Sequence, residues 1–178
     1  MIYIFLAQGF EECEALAPLD ILRRANIEVK TVGIGSKVIT GSHGIKIECD
    51  ITENEAVTDK LEGIILPGGM PGTLNLEKSD TVQKFIDFAA ENGLLISAIC
   101  AAPSVLGHKN LLRNKTATCF TGFEKDLTGA KVVNEPAVKD GSIITAYGAG
   151  AAFDFGFLIL EALEGEEIAQ NMKKQMRY

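Results

Sequence analysis

The apolar positions of this chain fall into short blocks that alternate between two periods, with polar or glycine-rich breaks between them. Ile2 to Ala7 is an unbroken apolar run stopped by Gln8-Gly9, as expected of a strand buried on both faces. From Glu14 to Ala25 the spacing becomes helical. Leu16, Leu19 and Leu22 share a face, and Arg23-Arg24 fill the last turn, where cations suit the helix dipole. Pro18 falls inside this span and is expected to mark a first turn or to kink the helix. Ile27 to Val32 predicts a second strand. Lys37 to Ile51 predicts two short strands around Thr40-Gly41-Ser42-His43-Gly44, as a hairpin or edge excursion. Leu61 to Leu66 predicts a strand running into the turn-rich Pro67-Gly68-Gly69-Met70-Pro71-Gly72. Ser79 to Asn92 is amphipathic, with Val82, Phe85, Ile86 and Ala89 inward and Gly93 placed to close the helix. Leu94 to Ile99 predicts a buried strand and Ala101 to Leu106 the start of a helix. Ala117 to Phe120, Lys131 to Val133 and Ser142 to Ala146 predict further strands. Gly148-Ala149-Gly150 then leads into a helix from Ala151 to Leu163, and the polar tail from Glu166 is helical.

Strands alternating with helices predict an α/β fold with a mostly parallel sheet covered on both faces. No repeat, low-complexity segment or linker divides the chain, so residues 1–178 are read as one domain, a size at which a substantial core can be buried. Composition narrows the function classes. With 17 basic against 24 acidic side chains, the net charge is −7, and no basic run offers a footprint for nucleic acid. No apolar stretch approaches the ~20 residues of a membrane span, and the N-terminus has neither basic leader nor cleavage site. A cytoplasmic protein with its four cysteines reduced is therefore expected, rather than a disulfide scaffold.

In a parallel sheet, ligands sit beyond the carboxyl ends of the strands. Three strand ends carry candidate chemistry: Glu11-Glu12-Cys13-Glu14, Gly68-Gly69 and Cys100. Cys100 follows an apolar strand and precedes a predicted helix, with small residues two before and two after it, Ala98 and Ala102. This is a cysteine version of the nucleophile elbow, and a helix N-terminus at that point would favour a thiolate. A small buried hydrophobe is the alternative reading of the same cysteine. An ionised carboxylate beside the thiol would raise its pKa. A protonated one would donate to the thiolate and then serve as general acid or base. Three Glu in four residues also suit a solvated helix start, so only an inward-pointing one qualifies. Gly68-Gly69 would let backbone N–H groups approach an oxyanion, or form a plain turn; no Gly-Lys-Ser/Thr follows, so it is not a phosphate loop. The two histidines, His43 and His108, are not placed as bases for Cys100, which disfavours a Cys-His-Asp hydrolase. The cysteines share no Cys-x-x-Cys spacing, so no metal site is expected, and Cys13, Cys49 and Cys119 are structural by default.

Taken together, several strings are similar to the ThiJ/PfpI superfamily, in its Parkinson-associated deglycase branch, across nearly the whole chain. They are Ala7-Gln8-Gly9-Phe10-Glu11-Glu12-Cys13-Glu14, Pro18-Leu19-Asp20-Ile21-Leu22-Arg23-Arg24-Ala25, Leu66-Pro67-Gly68-Gly69, Ala98-Ile99-Cys100-Ala101-Ala102-Pro103, and Gly148-Ala149-Gly150 with Phe153-Asp154-Phe155. The resemblance implies a flavodoxin-like sandwich, usually dimeric. It implies Cys100 as nucleophile and oxidation-sensitive residue, Glu14 as its acid partner, and the N–H groups of Gly69 and Ala101 as the oxyanion site. Gly68, Cys119 and Phe120 would form the pocket rim. It implies a small reactive aldehyde as substrate, with no metal or organic cofactor. The expected activity is glutathione-independent conversion of methylglyoxal or related α-oxoaldehydes, or deglycation, with a cysteine-oxidation sensor or chaperone as the alternative. Where the human-type branch has a pocket histidine this chain has Cys119-Phe120, and where it has an arginine before the late Gly-x-Gly this chain has Tyr147. The peptidase branch places His directly after the nucleophile; Ala101 here argues against proteolysis.

Overall fold

The computed structural model describes residues 1–178. The central feature is a seven-stranded sheet, and its layout follows from the run of apolar residues at 2–6. Every residue of β1 (Ile2–Leu6) is buried, so the strand must be covered on both faces. It pairs in parallel with β2 (Val29–Gly33) on one side and β6 (Gly63–Leu66) on the other. β6 pairs with β7 (Leu95–Ile99), and β7 with β11 (Ile143–Ala146), both in parallel. β5 (Ile51–Thr52) closes one edge in parallel, and β10 (Ala137–Asp140) closes the other antiparallel. A hairpin of β3 (Val38–Thr40) and β4 (Lys46–Glu48) stands apart from the sheet, as does a parallel pair of β8 (Thr116–Ala117) and β9 (Lys131–Val132).

Alternation along each strand divides the core in two. Ile2, Ile4 and Leu6 join Ile65, Ile99, Ile144, Phe155 and Leu160 on the side covered by α1 (Glu12–Arg24), α5 (Ala152–Glu164) and α6 (Glu166–Met176). Tyr3 and Phe5 join Ile64, Leu66, Ile96, Phe85 and Ile86 on the side covered by α3 (Asp80–Glu91) and α4 (Pro103–His108). Tyr3, Phe5 and Phe85 meet in edge-on and tilted contacts with centroids 5.3–6.1 Å apart. Ser79 caps α3 by accepting the Val82 N–H, and Gly93 leaves the helix at φ +66°, as its sequence position predicts.

Three features depart from the sequence pattern. Gly72–Lys78 forms a further helix, α2, hidden in the sequence by the preceding Pro-Gly run. The polar edge strand β10 carried no apolar block to reveal it. Pro18 neither starts nor ends α1: it lies in the interior, where it leaves the Glu14 carbonyl without its helical donor. Gly156 of α5 packs over this proline so closely that a Cβ there would stand 3.0 Å from the Pro18 Cα. No helix is long and apolar enough to cross a membrane.

Phe5 contributes the centre of one core half. Phe5→Ala is expected to destabilise the fold by about 3–5 kcal/mol, read as a fall in the denaturant midpoint without change of slope. A loss below about 1 kcal/mol would mean that the core collapses around the deletion.

Candidate active site

β1, β6 and β7 end side by side, and the loops that follow them converge. The segment after β7 turns so sharply that Cys100 adopts φ +64°, a left-handed conformation that a non-glycine residue rarely takes. Two hydrogen bonds hold it there. Its N–H donates to the Ala146 carbonyl at 2.9 Å, and its own carbonyl accepts from the Phe120 N–H at 2.8 Å. The small residues read from the sequence fit this elbow: Ala98 and Ala102 are fully buried on either side of it. The helix does not start where the sequence places it. α4 begins at Pro103 and runs for six residues, so the turn 101–102 separates the thiol from its N-terminus. The expected help from a helix dipole is therefore replaced by individual backbone donors. The backbone N–H groups of Gly69 and Ala101 lie near enough to the Cys100 sulfur to favour its charged form.

The three glutamates after β1 separate into three roles. Glu11 caps α1, its Oε1 accepting the Cys13 N–H at 3.3 Å. Glu12 is buried, not solvated as a helix-start residue would be. Its Oε1 accepts the N–H groups of His43 (2.9 Å) and Ile45 (3.3 Å), and its Oε2 meets His43 Nδ1 at 2.9 Å. These bonds hold the carboxyl below the usual range despite burial and raise His43. Glu14 points into the converging loops and is 1% exposed. One oxygen, Oε2, accepts the Gly68 N–H at 2.8 Å; Oε1 accepts no hydrogen bond of ordinary geometry, and the carboxyl's remaining interaction is with the Cys100 thiol.

Gly68 is the spacer between acid and thiol. A Cβ there would stand 2.6 Å from both Cys100 Cβ and Glu14 Oε2. Gly69 is equally confined: at φ +88°, a Cβ would lie 2.4 Å from the Glu11 nitrogen. The Gly68 carbonyl accepts the Glu11 N–H at 2.9 Å, which ties the two loops together.

Burial raises Glu14 to about 7, the thiol and the Gly68 N–H opposing that rise. Burial and the Glu14 charge together push Cys100 up to about 12, against the pull of the two backbone donors. The carboxyl is thus the first of the two to lose its proton, near neutrality, and the thiol keeps its own far into alkali. Of the two ways to read a carboxylate beside the thiol, the raised thiol agrees with the one in which the carboxylate charge opposes the thiolate, with burial adding to it.

The rim lies over β11. Cys119, Phe120, Thr121, Tyr147 and Gly148 line a shallow cleft of about 250 Å³ beside the elbow. Cys119 is 8% exposed, and the Phe120 ring stands open to solvent, packed over Gly148. Neither histidine reaches the site. His43 sits on the hairpin with Glu11 and Glu12, while His108, at the end of α4, meets Glu77 at 2.5 Å. Sequence spacing gave no sign of the Glu11–Glu12–His43 grouping, whose ligand atoms lie within 4.8 Å of one another but away from the elbow. Nor did it give the carbonyl of Ala146, which no side-chain pattern could reveal.

Residues 1–162 match the DJ-1/PfpI family. The chain is similar to Protein dj-1beta of Drosophila melanogaster, with 34% identity covering 96% of this chain and 93% of that protein. It is similar to glutathione-independent glyoxalase DJR-1.2 of Caenorhabditis elegans, with 29% identity covering 93% and 89%. Among solved structures, a DJ-1 superfamily protein from Salmonella typhimurium superposes with TM-score 0.94 at 32% identity, covering 99% of this chain and 97% of that one. Oxidized DJ-1 of Toxoplasma gondii superposes with TM-score 0.91 at 28% identity, covering 99% and 97%.

Glu14→Gln tests the coupling of acid and thiol in two ways. In the native protein the alkylation rate of Cys100 is expected to keep climbing into alkali, because burial and the Glu14 charge push the thiol up to about 12. In the variant the climb moves to lower pH, because the charge opposing the thiolate is gone; a profile that stays put would show that burial alone holds the thiol. The second readout is stability. The folded protein holds Glu14 above its ordinary value, so ionisation opposes folding: the penalty is absent below about pH 4, grows as pH rises toward 7 and is complete above it. Glu14→Gln is therefore expected to melt higher than the native protein at pH 8, with the gap closing toward pH 4.

Proposed function

Because the chain belongs to the DJ-1/PfpI family, we propose that it converts small α-oxoaldehydes such as methylglyoxal to 2-hydroxy acids, without glutathione, using Cys100 as nucleophile and Glu14 as proton carrier. The observation that carries this reading is the contact of acid and thiol across Gly68, with two backbone N–H groups near the sulfur. The similar C. elegans protein is named a glutathione-independent glyoxalase, which supports the same class of reaction here.

The chemistry follows from the geometry. The Cys100 sulfur adds to the aldehyde carbon as its thiol proton passes through Glu14 to the new alkoxide, giving a hemithioacetal. The N–H groups of Gly69 and Ala101 hold the developing oxyanion in this reading, an interaction worth roughly 2.7–4 kcal/mol per donor in other enzymes. Glu14 then takes the proton from C1 and returns it at C2, converting the hemithioacetal to a 2-hydroxy thioester. A group that changes charge near pH 7 suits both halves of that transfer. Water cleaves the C–S bond, releasing the 2-hydroxy acid and restoring the Cys100 thiol. Overall, one aldehyde and one water give one acid, and no electron leaves the system.

No side chain with a fixed positive charge lines the cleft beside the elbow. A neutral dicarbonyl fits this lining better than a phosphorylated or carboxylated aldehyde. Deglycation of early adducts would use the same groups on a bulkier substrate and needs the open rim at Phe120. A second reading, oxidation sensing without turnover, is favoured by one observation: Cys100 is only half-buried, so an oxidant can reach it.

The test is methylglyoxal loss and lactate formation with no thiol added. Cys100→Ala should fall to the uncatalysed rate and Glu14→Gln by about 100-fold or more. Full turnover by Cys100→Ala would sink the proposal. Peroxide reactivity at Cys100 without aldehyde turnover would select the sensor reading.

A further inference from the structure

The reaction above leaves Cys119 unused, yet the fold holds it beside Cys100. Residues 118–120 cross the ends of β7 and β11 on two hydrogen bonds. Thr118 N–H donates to Thr145 Oγ1 at 2.9 Å, and Phe120 N–H donates to the Cys100 carbonyl at 2.8 Å. Cys119 lies between them. With the path from Cα119 to Cα100 stretched straight through the second bond, the separation stays within about 7.6 Å. A disulfide spans roughly 4.4–6.8 Å between Cα atoms. The remaining cysteines are elsewhere: Cys49 is sealed in the core against Gly33, and Cys13 is exposed on α1.

We propose that Cys119 is the resolving thiol of Cys100, closing a reversible disulfide with it when the site meets a peroxide. The proposal rests on the reading of Cys100 as the reactive thiol. In the first step the Cys100 sulfur attacks one oxygen of hydrogen peroxide. The O–O bond breaks, Cys100 becomes a sulfenic acid, its thiol proton passes through Glu14 to the departing hydroxide, and water leaves. In the second step the Cys119 sulfur attacks the sulfenic sulfur. The S–O bond breaks, the S–S bond forms, and the Cys119 proton leaves with the hydroxyl as a second water. Two thiols are oxidised by two electrons and one peroxide is reduced to two waters. A dithiol reductant reverses the bond by exchange. Closure stops the sulfenic acid from advancing to the sulfinic state, which ordinary thiols do not reverse. It also removes the nucleophile from the aldehyde reaction while the oxidant persists.

Cys119 sits under the exposed Phe120 on a short irregular segment, so the sulfur can approach by movement of the rim and leave the sheet intact. Its surroundings set its chemistry. Burial and the acidic side chains of Glu124 and Asp126 raise this thiol to about 11, and it lies deeper than the half-buried Cys100, so peroxide reaches Cys100 first. As the second sulfur, attacking a sulfenic acid a few ångströms away, it benefits from proximity instead.

Native protein is treated with one equivalent of hydrogen peroxide, alkylated, and digested without reductant. The expected result is a linked pair of peptides carrying Cys100 and Cys119, a fall in free thiols from four to two, and return of both thiols and of methylglyoxal turnover with dithiothreitol. In Cys119→Ser, with its fold checked by circular dichroism, Cys100 should proceed to a sulfinic acid that dithiothreitol does not reverse. If native Cys100 reaches the sulfinic acid as fast as in Cys119→Ser, with no linked peptide, the resolving role is overturned while the reactive Cys100 stands. If Cys100 is oxidised no faster than the exposed Cys13, the reading of the site itself fails, and the resolving role falls with it.

Discussion

Ionising a carboxyl group in a nearly dry pocket against a thiol is unfavourable, and keeping the two together requires three separate stretches of chain. α1 supplies Glu14, the loop after β6 supplies the N–H that holds one of its oxygens, and the elbow after β7 supplies Cys100. Each depends on the order of strands in the sheet. β1, β6 and β7 are adjacent and parallel, so their ends, and whatever follows them, meet at one place. The positive φ of Cys100 is a local cost of the same arrangement, offset by hydrogen bonds to Ala146 and Phe120 from outside the elbow.

The parallel sheet was legible because buried strands of this kind leave unbroken apolar blocks, and those at 2–7, 61–66 and 94–99 fall on β1, β6 and β7. Elements whose signal is not hydrophobic escaped: α2 follows a Pro-Gly run, and β10 lies on a polar edge. The candidate site was legible as residue types at strand ends. Cys100, Gly68, Gly69 and Glu14 meet where those ends predict, although the family resemblance was needed to choose Glu14 from among three glutamates. What separates the three is direction: Glu11 and Glu12 also stand at the start of α1, but they turn toward their own helix end and toward the hairpin. The error over the helix start has a simple cause. Ala101 and Ala102 are good helix formers, but the left-handed turn at Cys100 delays regular helix until Pro103, whose fixed φ suits a first helical position.

The hairpin illustrates how a site is supported at a distance. Glu12 gathers the N–H groups of residues 43 and 45 around one buried oxygen, and Gly41 leaves room for its side chain. The Thr40 carbonyl in turn accepts the Gly9 N–H, and Ser42 N–H donates to the Phe10 carbonyl, so the loop carrying Glu11 and Glu14 is pinned from outside the sheet. A carboxylate two residues from the candidate proton carrier thus has a wholly different task, and its pKa moves the opposite way for that reason.

Gly68 has a consequence for how such a site can diversify. The gap between acid and thiol is set by the one side chain that is missing, and a single methyl group would fill it. Changes to the rim can alter which molecules arrive, since the side chains of Phe120 and Tyr147 line the cleft. The pair itself has no gradual settings: any side chain at residue 68 wedges the two groups apart or displaces the strand end that carries them. The rim is therefore free to drift in this chain, while the acid–thiol pair beneath it is retained whole or lost whole.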